Sequence, residues 1–85
     1  MNKVDNEQGL AYWANNAKKG EKALYYEGLL MMDRNRYFLN GGLVGGEPEK
    51  IRAANFAWRL YEDGVINLIQ KKNKAYSYDY IAIKR

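Results

Sequence analysis

The spacing of apolar residues near the start of the chain predicts a short amphipathic helix. Apolar residues recur at intervals of three and four positions, at Leu10, Trp13, Ala14 and Ala17. This spacing puts them on one face of a helix. Asp5 and Gln8 match a capping box ahead of that face, and Gly20 can end the helix in a left-handed conformation. We therefore expect a helix over residues 6–19.

A wider apolar pattern predicts a central helix later in the chain. Pro48 suits a first helical position, and Gly64 ends the pattern. Between them the apolar residues cover more than half of a helical wheel: Ile51, Ala53, Ala54, Phe56, Ala57, Trp58, Leu60 and Tyr61. An arc that wide is typical of a helix contacted from two sides, and we expect this helix to run to about Asp63.

Strand patterns flank this second helix. Residues 22–28 are rich in strand formers, and residues 65–72 and 76–84 alternate in the manner of two antiparallel strands. The hairpin is expected to turn near Asn73 and Lys74. Because this is not the favoured Asn-Gly pair, the register of the hairpin stays open by one residue.

The middle of the chain is less regular. Residues 29–39 fit either an extension of the strand or a short helix. Residues 40–46 contain four glycines, which predicts the most flexible internal segment. A chain of 85 residues is the size of one small domain, so we expect residues 1–85 to form a single domain.

The predicted element order resembles that of winged-helix domains, in which an early strand pairs with a C-terminal hairpin. We expect an α+β fold, winged-helix-like, with helices packed on a small antiparallel sheet. The sheet should include the strand at 22–28 and the C-terminal β-hairpin. One connection differs from that pattern, because the glycine-rich loop 40–46 stands where a helix-turn-helix has a tight turn.

A second pattern runs through the chain. Its residues are Tyr26, Gly28, Leu30, Asp33, Arg34, Ala57, Trp58, Leu60, Tyr61, Gly64, Leu68, Gln70, Lys71, Tyr80, Ile81, Ala82 and Lys84. In this pattern the chain resembles small bacteriophage proteins of uncharacterised function. The resemblance implies a phage setting, with the host cytoplasm as the location, and a compact α+β fold. It implies no activity.

Composition narrows the classes of function. The chain has no cysteine, histidine or threonine, and Ser77 is its only serine. Structural zinc, thiol chemistry and Ser-His catalysis are therefore excluded, and we expect no enzyme, no metal and no cofactor. No apolar run is long enough to span a membrane, and the first residues lack the apolar core of a signal peptide. We expect a cytoplasmic protein.

The distribution of charge points to a partner. The net charge of +4 arises in residues 65–85, because the first 64 residues hold nine basic and nine acidic side chains. Lys71, Lys72 and Lys74 cluster at the predicted hairpin turn, where they can lie along a phosphate backbone. The alternative is a solvated tip that lysines protect from aggregation.

The polar side of the second helix carries a further candidate set. Arg52, Asn55 and Arg59 form one stripe, and these residue types read guanine and adenine edges in the major groove. The alternative is that Arg59 pairs with Glu62 and Asp63 along a solvated face.

Tyrosines alternate along the last predicted strand, at Tyr76, Tyr78 and Tyr80, opposite Ile81 and Ile83. If the isoleucine side faces the core, the tyrosines form an exposed row that stacks on bases or anchors a protein interface. The alternative is that the tyrosines pack across strands over helix residues.

These observations predict a small basic nucleic-acid-binding protein, a regulator of transcription or of phage development. It would contact phosphates, with DNA as the expected nucleic acid, through the C-terminal hairpin. The alternative is a protein–protein interaction module, a phage factor that binds and modulates a host protein through a tyrosine-rich surface. A homodimer is compatible with both.

Overall fold

The computed structural model describes residues 1–30, 48–75 and 77–85. In this part of the chain the elements are β1 (Asn2–Lys3), α1 (Glu7–Asn16), β2 (Lys22–Gly28), α2 (Pro48–Glu62), β3 (Ile66–Lys74) and β4 (Ser77–Lys84). The strands form one sheet in the order β1-β2-β4-β3, on which the two helices pack. The predicted α+β fold and its C-terminal hairpin are confirmed.

The sheet is mixed, whereas an antiparallel sheet was predicted. Strand β2 pairs antiparallel with β4, as expected for the early strand and the hairpin, and β4 pairs antiparallel with β3. The addition is β1, which pairs parallel with β2 through the register Asn2↔Ala23 and Lys3↔Leu24. The Val4 N–H extends this pairing by donating to the Leu24 carbonyl at 2.9 Å. Two polar residues carry no strand pattern, so β1 could not be recognised from its side chains.

The start of α1 differs from the predicted capping box. The N-cap is Asn6, and its side-chain oxygen accepts a hydrogen bond from the Gly9 N–H at 2.7 Å. The cap therefore lies one residue beyond Asp5, and Gln8 belongs to the first turn instead of closing a box. Asparagine at this position satisfies one of the amides that a helix start leaves without a partner.

Gly20 does not cap α1, which ends at Asn16, three residues before the predicted end. Gly20 has a φ of 89°, but it lies in a turn closed by the Glu21 N–H, which donates to the Lys18 carbonyl at 3.0 Å. The Gly20 N–H donates to the Lys84 carbonyl at 2.8 Å. This turn therefore ties the segment after α1 to the end of β4.

Helix α2 ends in a Schellman motif. Gly64 has a φ of 78°, and its N–H donates to the Tyr61 carbonyl at 3.0 Å. The Val65 N–H donates to the Leu60 carbonyl at 2.9 Å. This pair of hydrogen bonds satisfies carbonyls that the helix end would leave open, and it needs a left-handed residue at Gly64. The predicted end of α2 is confirmed to within one residue.

The core lies between the helices and one face of the sheet. Its buried residues are Leu10, Trp13, Ala14, Ala23, Tyr25, Tyr26, Leu30, Ile51, Ala54, Ala57, Ile66 and Ala82. Helix α2 contacts α1, β2 and β3. Its apolar arc is buried only in part, because Trp58 and Tyr61 are 50% and 42% exposed.

A β-bulge in β2 places two consecutive tyrosines in this core. The register between β2 and β4 shifts between Leu24 and Tyr26, and both Tyr25 and Tyr26 are buried. Their rings lie 6.3 and 5.9 Å from the ring of Tyr80, measured between centroids. In a regular strand one of the two tyrosines would point to the opposite face, so the bulge doubles the aromatic contact with β4.

Several predictions concern other parts of the chain. Those for residues 31–39, for the glycine-rich loop 40–46 and for Tyr76 lie outside the described residues. Among the described helices, none is long and apolar enough to cross a membrane.

Candidate nucleic-acid interface

The hairpin turns later than the sequence suggested. Lys74 pairs with Ser77, so the turn follows Lys74 and includes Ala75. The prediction of a turn near Asn73 and Lys74 is therefore wrong by about one residue. A register shift between Lys72 and Lys74 accompanies this turn, and no Asn-Gly pair marks it in the sequence.

The structure brings the three candidate lysines to the hairpin tip but not to one face. Lys71, Lys72 and Lys74 are all exposed, and they lie on β3, which is an edge strand of the sheet. Lys71 pairs with Asp79, whereas Lys72 pairs with Tyr78. Because successive residues of a strand point to opposite faces, Lys71 and Lys72 point away from each other.

The two faces of the hairpin differ in what covers them. Ile66 and Ala82 belong to the core, so their face is the one that α1 and α2 cover; we call it the helix side. Side chains at every second residue of β4 point to the same side, so Tyr80 and Tyr78 share the helix side with Ala82. We call the opposite face, which carries Asp79, the open side; the name refers to the side away from α1 and α2 and not to full exposure, because Ile81 on the same face is buried.

The tyrosines of β4 therefore lie on the helix side. The condition for an exposed tyrosine row does not hold, because the tyrosine side faces the helices and the isoleucine side does not. The Tyr80 hydroxyl accepts a hydrogen bond from the Leu30 N–H at 3.2 Å. Tyr78 is half-buried, with its ring centroid 6.4 Å from that of Tyr80. Packing against the core thus accounts for Tyr80, while Tyr78 lies further out, beside Lys72.

The open side of the tip has mixed charge. Asp79 lies between Glu27 on β2 and Lys71 on β3 in the sheet register. The Asn73 side-chain amide donates a hydrogen bond to the Asp79 carboxylate. Glu27 forms an ion pair with Lys3, in which Nζ and Oε1 are 3.2 Å apart. Basic and acidic groups therefore balance at this end of the open side.

The predicted stripe of polar residues on α2 is partly exposed to solvent. Arg52 and Arg59 are exposed, and Asn55 is half-buried. Within the described residues no ion pair joins Arg59 to Glu62 or Asp63, which was the alternative prediction for this stripe. The Arg59 side chain is thus exposed, with no ion pair to a carboxylate of the described residues.

Arg52 has a different environment from Arg59. It lines a cleft of about 290 Å³ between the N-terminal turns of the two helices, together with Glu7 and Glu49. Two carboxylates beside Arg52 reduce the attraction that this end of α2 offers to a phosphate.

An exposed aromatic pair on α2 was not predicted as a site. Trp58 and Tyr61 are in ring contact, with centroids 5.3 Å apart and planes at 45°. The sequence pattern placed both residues in the apolar arc of α2. Both residues lie in the last two turns of α2, but the neighbouring Ala57 is buried and Leu60 is half-buried, so the apolar pattern gave no signal that separates the exposed pair from the arc.

No family model matches this chain, and neither a curated protein nor a solved structure matches it. Within residues 1–30, 48–75 and 77–85, no group of three or more acidic, histidine or cysteine side chains is placed to hold a metal ion. The exposed basic residues and aromatic rings are the groups from which a function can be argued.

Proposed function

We propose that this protein binds nucleic acid, with DNA as the expected ligand, and that the tip of the β3–β4 hairpin contacts phosphates. The observation that carries this proposal is the exposed, basic outer half of the hairpin. All described residues from Ile69 to Ala75 are exposed, and three of them are lysines. A cluster of ammonium groups on a projecting element attracts a polyanion and releases its counterions.

The arrangement of the sheet supports a winged-helix-like architecture for this function. The early strand β2 pairs with β4, the last strand of the hairpin, and the hairpin follows α2 directly in the chain. In such an architecture the hairpin is the wing and α2 is the helix that enters a groove. Arg52, Asn55 and Arg59 on α2 are then the residues that meet base edges, while the lysines position the protein on the backbone.

The test is binding of the whole chain to a fluorescently labelled, random-sequence DNA duplex at several salt concentrations. Each phosphate contact contributes about 0.9 to the log–log salt slope, so one to three contacting lysines should give a slope between roughly −1 and −3. A measured affinity that falls in this way supports the proposal. Failure to bind the duplex at low salt, or an affinity that salt does not change, would contradict it.

A second measurement concerns the role of α2. The double variant Arg52→Gln, Arg59→Gln should change the order of preference among duplexes of different sequence, because guanidinium groups discriminate bases. Equal weakening toward every duplex would assign both arginines to phosphate contact and remove α2 from sequence reading.

The exposed pair Trp58 and Tyr61 favours a second candidate, a protein–protein interaction module that modulates a bacterial host protein. Tryptophan and tyrosine are the residues that most often dominate the binding energy of interfaces. Under this candidate one defined host protein co-purifies with the chain independently of salt, and Trp58→Ala abolishes that association. Tyr12→Ala is the matched control, since Tyr12 is an exposed aromatic residue on α1.

A further inference from the structure

The register of the hairpin gives its two neighbouring lysines opposite surroundings. On the open side, Lys71 lies in one cross-strand row with Asp79 and Glu27. On the helix side, Lys72 lies in one row with Tyr78 and Gly28. Residues directly opposite each other in a sheet have their Cβ atoms about 5 Å apart, so each lysine is in direct reach of its partner on β4.

The carboxylate beside Lys71 opposes phosphate binding on the open side. Asp79 is half-buried, and the hydrogen bond from the Asn73 side-chain amide holds its carboxylate at this position. A phosphate that reached Lys71 would also meet the negative charge of Asp79, and Glu27 lies in the next position of the same row. Repulsion at that distance offsets the attraction of a single ammonium group.

The helix side of the tip lacks such a carboxylate in the rows that the register defines. The row of Lys72 contains Tyr78 and Gly28, and the next row inward contains Gln70, Tyr80 and Tyr26. Gly28 has no side chain to cover the ring of Tyr78 from the β2 side. An ammonium group beside a partly open aromatic ring is a combination that suits a phosphate and the adjoining sugar or base.

We infer that nucleic acid contacts the hairpin tip from the helix side, through Lys72 with Tyr78 beside it, and that Lys71 contributes little. This inference rests on the proposed function and adds the direction from which the ligand approaches. It also assigns Asp79 a role, which is to disfavour phosphate binding on the open side.

The single variants Lys71→Gln and Lys72→Gln provide the test. They remove the same charge from adjacent, exposed positions of one strand, so each is the matched control of the other. The probe is the random-sequence DNA duplex, titrated with the whole chain at several salt concentrations. Lys72→Gln should weaken binding and reduce the salt slope by about one unit. Lys71→Gln should leave affinity and slope close to those of the parent protein.

The outcomes separate the two proposals. If Lys71→Gln weakens binding as much as Lys72→Gln, or more, the one-sided approach is wrong while phosphate binding by the tip stands. If the parent protein does not bind the duplex, the proposed function fails and this inference fails with it. Thermal unfolding of both variants should match the parent, which confirms that each remains folded.

The variant Asp79→Asn tests whether the Asp79 carboxylate disfavours phosphate binding on the open side. Removing the carboxylate should raise the affinity for the duplex and steepen the salt slope, because Lys71 can then contact a phosphate. In the double variant Lys71→Gln, Asp79→Asn the gain in slope should disappear. An affinity unchanged by Asp79→Asn would overturn the explanation offered for the small contribution of Lys71.

Discussion

The two ends of the β3–β4 hairpin are built from the same pair of strands but have different surroundings. At the base, Ile66 pairs with Lys84, Ile66 is fully buried, and the Lys84 side chain donates a hydrogen bond to the Ala14 carbonyl of α1. At the tip, residues 71–75 are all exposed. One hairpin therefore supplies both the packing that holds the fold and a solvent-exposed, basic surface.

Backbone hydrogen bonds strengthen this contrast. The Lys84 N–H donates to the Glu21 carbonyl at 2.9 Å, and the Arg85 N–H donates to the Val65 carbonyl at 3.2 Å. The base is therefore joined both to the turn after α1 and to the cap of α2. Toward the tip, β4 still pairs with β2 through Asp79 and Tyr78, and Asn73 on β3 donates a hydrogen bond to Asp79. These interactions join strand to strand, whereas those at the base also join the hairpin to the segments next to the helices.

The largest difference in unfolding free energy should appear between an Ile→Ala substitution at the base of β3 and the same substitution further toward the tip. Ile66→Ala should lower the free energy of unfolding by about 2–5 kcal/mol, because it removes a fully buried side chain. Ile69→Ala is the matched control, and its loss should be clearly smaller, since Ile69 is 39% exposed on the open side. Chemical denaturation measures both. Equal losses would mean that the open side is packed as firmly as the core.

The support that α1 gives to the base can be tested at its N-cap. Asn6→Ala should cost about 1 kcal/mol of unfolding free energy, since the Gly9 N–H loses its acceptor. Asp5→Ala should change stability little, because the cap is Asn6 and Asp5 is exposed. Denaturant titration of both variants distinguishes the observed cap from the one that the sequence suggested. A larger loss for Asp5→Ala would restore the predicted capping box.

The boundary between base and tip falls between two tyrosines of β4. Tyr80→Phe should lower stability by about 1 kcal/mol, because the Leu30 N–H loses its acceptor. Tyr78→Phe, two residues nearer the tip on the same side, should have an effect within about 0.5 kcal/mol. Thermal unfolding compares the two variants. If Tyr78→Phe costs as much as Tyr80→Phe, the structural part of the hairpin extends further toward the tip.

Apolar periodicity was sufficient to predict the elements that build the base. The i, i+3, i+4 spacing predicted α1, and Pro48 with Gly64 marked the ends of α2 closely. The short strand β1 was missed because Asn2 and Lys3 are held by backbone pairing, which leaves no side-chain pattern. Local spacing thus predicts elements whose side chains are buried and misses those held by the main chain alone.

The faces of the tip could not be predicted because they depend on register. Alternation along β4 separated Tyr78 from Asp79, but it could not show which of them shares a side with the helices. No glycine marks the bulge at Tyr25 in the sequence. This bulge brings the rings of Tyr25 and Tyr26 into contact with Tyr80. The sequence therefore predicted a basic tip from charge alone, while the assignment of Lys71 and Lys72 to opposite faces required the structure.

The smallest effect on stability should come from the tip itself. The triple variant Lys71→Gln, Lys72→Gln, Lys74→Gln should unfold within about 0.5 kcal/mol of the parent, because exposed side chains contribute little to folding. A much larger loss in denaturant unfolding would show that the lysines help to hold the hairpin together.

The most direct test of the central claim is the DNA affinity of this triple variant, measured at several salt concentrations beside the parent protein. If the tip contacts phosphates, the variant should bind every duplex more weakly, and its log–log salt slope should be flatter by roughly the contribution of the contacts removed. If its affinity and slope equal those of the parent, the lysines do not bind nucleic acid and only keep an edge strand from aggregating.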